Sequence, residues 1–105
     1  MPQLNYRDLA KMLDHSLLQP TLTDGEMEHG LELARAYDVA SVCIKPYYVT
    51  RAREVLAGSI VAVGTTIDFP HGGHSTAIKV AEAQRAMADG ATELDMVVKI
   101  GRAHV

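Results

Sequence analysis

Helical and extended patterns alternate along this chain, and the connections between them are short. Strands are predicted at four largely apolar segments, residues 12–18, 39–44, 60–67 and 93–100. Helices are predicted over residues 5–11, 24–37, 46–58 and 76–89. This order is typical of a parallel sheet whose strands are joined by helices, so the chain is predicted to be an α/β protein built from repeated strand–helix units.

Local signals define where several of these elements begin. Thr23 and Glu26 have the Thr-x-x-Glu spacing of a capping box, in which each side chain binds the other residue's amide at the start of a helix. Met27, Leu31 and Ala34 then recur at three- and four-residue spacing. This periodicity predicts that they face the sheet.

The helix before the last strand is predicted to be capped by Ser75 and stopped by Gly90. Between it and the third strand, a proline and paired glycines predict an irregular loop. One side of this helix is predicted to carry Ala77, Val80, Ala81, Met87 and Ala88.

Length and charge narrow the possible classes of function. With 105 residues the chain is predicted to form a single domain, residues 1–105. The net charge is −3 and the ten basic residues are spread singly, which disfavours nucleic acid and membrane surfaces as partners. The start resembles no secretory signal, and no apolar run reaches the roughly 18 residues of a membrane span, so a cytoplasmic location is expected. The single cysteine, Cys43, lies in an apolar run and is interpreted as a small buried side chain rather than a nucleophile.

Asp95 stands inside the apolar run of the fourth strand. Burying an ionised carboxylate costs several kcal/mol unless a partner or a shifted pKa compensates, so Asp95 is a candidate proton carrier. Pairing with a neighbouring element for structural reasons is an equally weighted alternative. Lys99 lies on the same side of the strand but about 13 Å away, so any partner of Asp95 must come from another element.

Polar residues also stand where the second and third strands end. Lys45 and Asp68 occupy these positions, and the ends of parallel strands converge on one side of a sheet. A desolvated lysine beside an acid can form an imine with a carbonyl compound, which makes Lys45 and Lys99 formal candidates. The alternative, which is commoner for lysine, is that each extends its ammonium group to solvent.

His71 and His74 form a pair three residues apart in the loop after the third strand. Two imidazoles at this spacing could bind a metal ion, but no third ligand stands at a fixed distance. A solvated or phosphate-facing loop is therefore favoured, and no metal site is predicted.

Four segments together resemble one family of enzymes. They are LDHSLLQP at 13–20, SVCIKP at 41–46, GTTIDFPHG at 64–72 and GATELDMVV at 90–98. In these segments the chain resembles the 2-deoxyribose-5-phosphate aldolases, which are Schiff-base aldolases with a TIM-barrel fold. The resemblance implies cleavage of 2-deoxyribose 5-phosphate to acetaldehyde and glyceraldehyde 3-phosphate through an imine on lysine, with no metal or other cofactor. The partners it implies are a small sugar phosphate and aldehydes.

By this resemblance Asp95 matches the aspartate that helps relay protons, and Asp14, Ser16 and Cys43 match positions that line the active site. Lys45 and Asp68, at neighbouring strand ends, are predicted to line it as well. The imine-forming lysine of the family lies on a later strand. The chain is therefore expected to be the first half of a (β/α)8 barrel, with four parallel strands and the helices between them, and to be catalytically incomplete at this length.

A half barrel would leave its first and last strands with unpaired backbone groups. Pairing with a second copy or with a C-terminal half-barrel would satisfy them, so the isolated chain is predicted to be oligomeric. A non-catalytic half-barrel that only assembles is the alternative to an aldolase. A small flavodoxin-like domain is disfavoured, because residues 19–22, after the first strand, contain no glycine-rich phosphate loop.

Overall fold

The computed structural model describes residues 3–98, in which helices and parallel strands alternate as predicted. The helices are α1 Tyr6–Ala10, α2 Asp24–Tyr37, α3 Val49–Val55 and α4 Thr76–Asp89. The strands are β1 Asp14–Leu17, β2 Ser41–Ile44, β3 Ala62–Ile67 and β4 Glu93–Met96. A short 3-10 helix over Pro46–Tyr48 leads into α3. Ile100 and Lys99, to which the fourth strand was predicted to extend, lie outside the described residues.

The four strands form one sheet in chain order, and every neighbouring pair is parallel. Cys43 of β2 is aligned with Ser16 of β1 and with Gly64 of β3, which is in turn aligned with Glu93 of β4. Four such strands with intervening helices amount to half of a (β/α)8 barrel. The observed topology agrees with the predicted fold class.

The hydrophobic core lies between one face of this sheet and the helices. The strand residues that contribute to it alternate along each strand, as side chains of one sheet face must. They are Leu17, Val42, Ile44, Val63 and Ile67. The helices cover them with Met27, Leu31 and Ala34 of α2, Val49 and Ala52 of α3, and Ala86 of α4. Burial of this apolar surface at about 25 cal/mol per Å² is the main force that holds the layers together.

The predicted boundaries of α2 and α4 are confirmed by the capping contacts, whereas α3 ends at Val55, before the predicted end at Gly58. The Thr23 hydroxyl accepts a hydrogen bond from the Glu26 amide (3.2 Å), and the Glu26 carboxylate accepts one from the Thr23 amide (2.9 Å). The Ser75 side chain accepts from the Ile78 amide at the start of α4, and Gly90 ends that helix with a left-handed backbone (φ 111°). Met27, Leu31 and Ala34 are buried, so the inward face of α2 is also confirmed.

The predicted apolar side of α4 does not face the sheet. The predicted residues, Ala77, Val80, Ala81, Met87 and Ala88, are all exposed. Ala86 is buried instead, and Lys79, Glu82 and Ala83 are partly buried. The sheet-facing side of α4 is not its most apolar side, because it carries small alanines and two charged residues whose polar ends bind Asp68 and Val97, after the ends of β3 and β4.

The predicted burial of the fourth strand is also wrong. Glu93, Asp95 and Met96 are exposed, and only Leu94 of the four β4 residues is partly buried. The reason is that β4 pairs with β3 alone and β1 with β2 alone within the described part of the chain. Both are edge strands there, with unpaired backbone groups on one side. No helix among residues 3–98 has the length and apolar character needed to cross a membrane.

The α2 cap gives a direct test of this local structure. We expect Thr23→Ala to lower the free energy of unfolding by about 1 kcal/mol, because a first-turn amide loses its partner. Urea unfolding followed by circular dichroism measures the change. Thr21→Ala, at an exposed threonine outside the helix, is the matched control, and an equal loss in both variants would contradict a role for the cap.

Candidate active site

The sheet face opposite the helices, here called the open face, carries most of the predicted site residues. Its members follow from the pairing register and the alternation of side chains along each strand. They are Asp14, Ser16, Ser41, Cys43, Ala62, Gly64, Thr66, Glu93 and Asp95. In a (β/α)8 barrel this face lines the interior, and its residues near the strand ends line the active site.

Asp95 and Cys43 meet on the open face although their strands are not neighbours. The Cys43 thiol lies 3.5 Å from Asp95 Oδ2, with β3 between the two strands. Barrel interiors are layered in this way, because each layer takes side chains from alternate strands. Gly64, the β3 residue aligned with Cys43, places no side chain between them. A Cβ there would lie 3.1 Å from the Val42 carbonyl oxygen and 3.3 Å from Glu93 Cβ.

Asp14 completes this group. Its carboxylate, the Cys43 sulfur and the Asp95 carboxylate lie within 4.8 Å of one another. The Ser41 hydroxyl donates to Asp14 Oδ1 at 2.6 Å and so orients that carboxylate. Sequence reasoning missed Ser41, although its position two residues before Cys43 on the same strand face was a usable signal.

Cys43 is 3% exposed and is the donor in its contact with Asp95. Burial, the hydrogen bond to Asp95 and the negative charges of Asp95, Asp14 and Glu93 together raise the pKa of the thiol to about 12. The thiol therefore stays protonated near neutral pH. A nucleophile or a metal ligand would need the thiolate, so this environment disfavours both roles for Cys43 and suits a hydrogen-bond donor.

A cleft of about 760 Å³ opens where β1, β2 and β3 end. Leu18, Gln19 and Pro20 line it after β1, Lys45, Pro46 and Tyr47 after β2, and Phe69 and Pro70 after β3, together with Thr66 and Glu82. Thr66 is aligned with Asp95 in the sheet, which places the cleft beside the open-face group. Lys45 is half-buried, and among the lysines of residues 3–98 it alone has an ammonium group with neither an ion pair nor a hydrogen bond to the described residues.

Asp68 is buried at the end of β3, and its partners belong to the following loop and to α4. Its carboxylate accepts a hydrogen bond from the His74 amide (3.0 Å) and lies 3.4 Å from the Lys79 ammonium. Its own amide donates to Glu82 Oε1. Asp68 has a left-handed backbone (φ 57°), which ends the alternation of β3. These contacts favour a structural role in the loop.

The pKa of Asp68 reflects a balance of burial and these partners. Burial raises it, but the His74 amide and the positive charges of Lys79 and His74 outweigh burial, and the pKa lies below its ordinary value. His71 and His74 are both exposed, and His74 Nδ1 lies 3.6 Å from Asp68 Oδ1. The second histidine of the predicted loop is thus a neighbour of Asp68.

This balance predicts how stability changes in acid. Because the pKa of Asp68 is lowered in the folded chain, its contribution is present above the ordinary value of about 4 and is lost as the pH falls through the folded value. Asp68→Asn should therefore destabilise the chain most above pH 5 and progressively less below pH 4. Urea unfolding between pH 3 and pH 7 measures this. Glu32→Gln, at an exposed carboxylate on α2, is the control, and a difference for Asp68→Asn that does not vary with pH would refute the assignment.

Comparison with known proteins identifies the family. A profile for the DeoC/LacD family aldolases matches residues 9–103. The deoxyribose-phosphate aldolase of Rhodopirellula baltica is 57% identical over 102 residues, which are 97% of this chain and 42% of that protein. That of Brevibacillus brevis is 45% identical over 94 residues, or 90% of this chain and 42% of that protein.

Solved structures give the same result. The tetrameric deoxyribose phosphate aldolase from Aeropyrum pernix superposes with a TM-score of 0.86 at 28% identity, over 93% of this chain and 42% of that chain. A structure described as QR15, an aldolase, gives a TM-score of 0.85 at 34% identity, over 92% of this chain and 43% of that one. The chain thus spans about two fifths of the length of these relatives. With residues 9–103 matched, it belongs to the DeoC/LacD family of aldolases.

Proposed function

We propose that this chain forms the first half of a deoxyribose-phosphate aldolase barrel and supplies its proton-relay aspartate, Asp95. The observation that carries the proposal is the contact of Asp95 with Cys43 on the open face, beside Asp14 and next to the cleft at the strand ends. The R. baltica relative, at 57% identity, bears the name deoxyribose-phosphate aldolase. Family membership supports the reaction class, and the geometry supports the role of the acid.

The reaction needs a lysine and a proton carrier. A lysine amine condenses with the aldehyde carbon of 2-deoxyribose 5-phosphate and releases water, which forms an imine. Loss of the proton from the C3 hydroxyl then breaks the C2–C3 bond, glyceraldehyde 3-phosphate leaves, and the electron pair moves into the imine as an enamine. Protonation at C2 and hydrolysis release acetaldehyde. Asp95 is the group we assign to moving these protons, because its carboxylate is accessible on the open face.

The other site residues take supporting roles in this proposal. Asp14, oriented by Ser41, and Ser16 are proposed to bind substrate hydroxyl groups from the β1 side of the hollow. Cys43 is proposed to hold the Asp95 carboxylate through its thiol hydrogen. Lys45 is proposed to line the entrance rather than to form the imine, since by family resemblance the imine-forming lysine belongs to a strand after β4.

Reconstitution tests the proposal. We expect co-expression of this chain with the part of the R. baltica aldolase outside the matched region to give measurable cleavage of 2-deoxyribose 5-phosphate. Asp95→Asn should then lower kcat by about 10²-fold or more and KM much less, as expected for lost acid–base catalysis. Glu93→Gln removes an exposed carboxylate two residues away on the same face and is the matched control.

Two results would contradict the assignment. One is an Asp95→Asn variant whose kcat is no lower than that of Glu93→Gln. The other concerns the lysine: borohydride reduction in the presence of acetaldehyde, followed by peptide mapping, should label a lysine of the added segment. Stoichiometric labelling of Lys45 instead would move the imine into this chain.

A second candidate function is a non-catalytic half-barrel that acts through assembly. The edges of β1 and β4, which are unpaired among residues 3–98, favour it, as does the exposed apolar flank of α4 formed by Ala77, Val80, Ala81, Met87 and Ala88. Two copies joined through their open faces would bring Asp14, Glu93 and Asp95 of each copy together, and charge repulsion would oppose that arrangement. Association through the edges and the α4 flank is therefore preferred.

The isolated chain should accordingly be oligomeric in solution. Size-exclusion chromatography with light scattering measures the mass, and Val80→Lys with Met87→Lys should shift it toward the monomer because both charges would have to be desolvated at the contact. Leu33→Lys, at another partly exposed apolar position on α2, is the control. A well-folded monomer at every concentration would contradict the prediction that the isolated chain is oligomeric.

A further inference from the structure

The C-terminal end of β4 is held by contacts that the proposed reaction does not use. The Val97 amide donates to the Ile67 carbonyl oxygen at 3.0 Å, which is ordinary sheet pairing. The Lys79 ammonium donates to the Val97 carbonyl oxygen at 2.9 Å. Gly72 packs so closely on this residue that a Cβ at position 72 would lie 2.7 Å from Val97 Cγ1. A helix, a loop and a neighbouring strand thus meet at Val97, the residue that directly follows β4.

Lys79 is the centre of this arrangement. Its side chain is only 13% exposed, and its ammonium lies between the Val97 carbonyl and the Asp68 carboxylate, at 2.9 and 3.4 Å. Asp68 is itself held by the His74 amide and, through its own amide, by Glu82 of α4. Because lysine is rarely buried, a lysine with these two partners is expected to hold specific groups in place.

Lys79 fixes the end of the strand that carries Asp95. Val97 lies two residues after Asp95, and β4 has only four residues, paired on one side among those described. Pairing with β3 fixes the strand along its length but leaves its outer edge free. The Lys79 contact fixes the end of the strand from the helix side, so a shift of that end would change how Asp95 sits above Cys43.

We propose that Lys79 is a positioning residue: by bridging Asp68 and the Val97 carbonyl, it sets the position of the Asp95 carboxylate relative to the Cys43 thiol. Its importance for catalysis rests on the proposed function of Asp95. The effect of Lys79 on the position of Asp95 does not depend on that function, since the contact between Asp95 and Cys43 can be measured without any enzyme activity.

Cys43 provides the measurement, because it is the single cysteine of the chain. Asp95, Asp14 and Glu93 are the charged groups that act on its thiol, and Asp95 is the one in hydrogen-bond contact. Only the thiolate reacts with iodoacetamide, so the alkylation rate reports how strongly the carboxylate suppresses ionisation. A fall of one unit in the thiol pKa raises that rate about tenfold at a pH well below the pKa.

The rate at which iodoacetamide alkylates Cys43 is measured at pH 8 in four variants and in the unmodified chain. Asp95→Asn should raise the alkylation rate about tenfold or more, and Lys79→Met should raise it in the same direction by at least about threefold. In the double variant, Lys79→Met should add nothing to Asp95→Asn, because Lys79 acts through Asp95. Lys11→Met is the matched control: Lys11 also bridges a carboxylate, Asp38, and a carbonyl, Val39, but these precede β2, and Lys11 has no contact with Asp68 or Val97.

Each outcome decides the proposal. It is overturned if Lys79→Met leaves the rate unchanged, if Asp95→Asn does so, or if the two effects multiply in the double variant, since multiplication indicates general loosening. An equal rise of the alkylation rate in Lys11→Met would also indicate general loosening and would overturn the proposal. Should Lys79→Met fail to fold, Lys79→Gln removes the charge that pairs with Asp68 and keeps a side-chain amide at this position, and the same comparison with Asp95→Asn applies. If thiol coupling is lost as expected but reconstituted Asp95→Asn enzyme stays active, the proposed function fails and the positioning role stands.

Discussion

Parallel pairing in chain order is the constraint on which the rest of this structure depends. Each strand must return to the same end of the sheet before the next begins, and each return is made by a helix that packs on the same face. The apolar residues of the strands and helices are therefore committed to that face. Among the polar side chains of the strands, most lie on the open face, and others stand in the loops where the strands end; both places belong to the candidate site.

The contact between Cys43 and Asp95 follows from the same geometry. The two residues are 52 positions apart and lie on strands that do not touch. They meet because the open face curves and because Gly64 leaves the intervening strand without a side chain. A carboxylate held this way keeps the thiol protonated, and the protonated thiol in turn orients the carboxylate. The pair is therefore better suited to moving protons on Asp95 than to nucleophilic chemistry on Cys43.

Much of this fold could be predicted because its signals are local. The capping residues Thr23 and Ser75 and the stop at Gly90 act within one helical turn, and the apolar runs are long enough to identify the strands. The inward face of α4 could not be predicted, because Lys79 and Glu82 are partly buried through partners in distant segments, which periodicity cannot show. The burial of Asp95 was mispredicted because an apolar strand is normally covered on both sides, whereas β4 has a single strand neighbour among residues 3–98. The need for a partner from another element was predicted correctly, but its identity, Cys43, depends on the three-dimensional register.

The charge on the open face also limits what chemistry can complete the site. Asp14, Glu93 and Asp95 are carboxylates, and none of the open-face strand positions carries a cation. An ammonium group brought among them would be stabilised in its protonated form, which raises its pKa and weakens it as a nucleophile. An imine-forming lysine must therefore either stand away from these carboxylates or have a second cation beside it to favour the neutral amine.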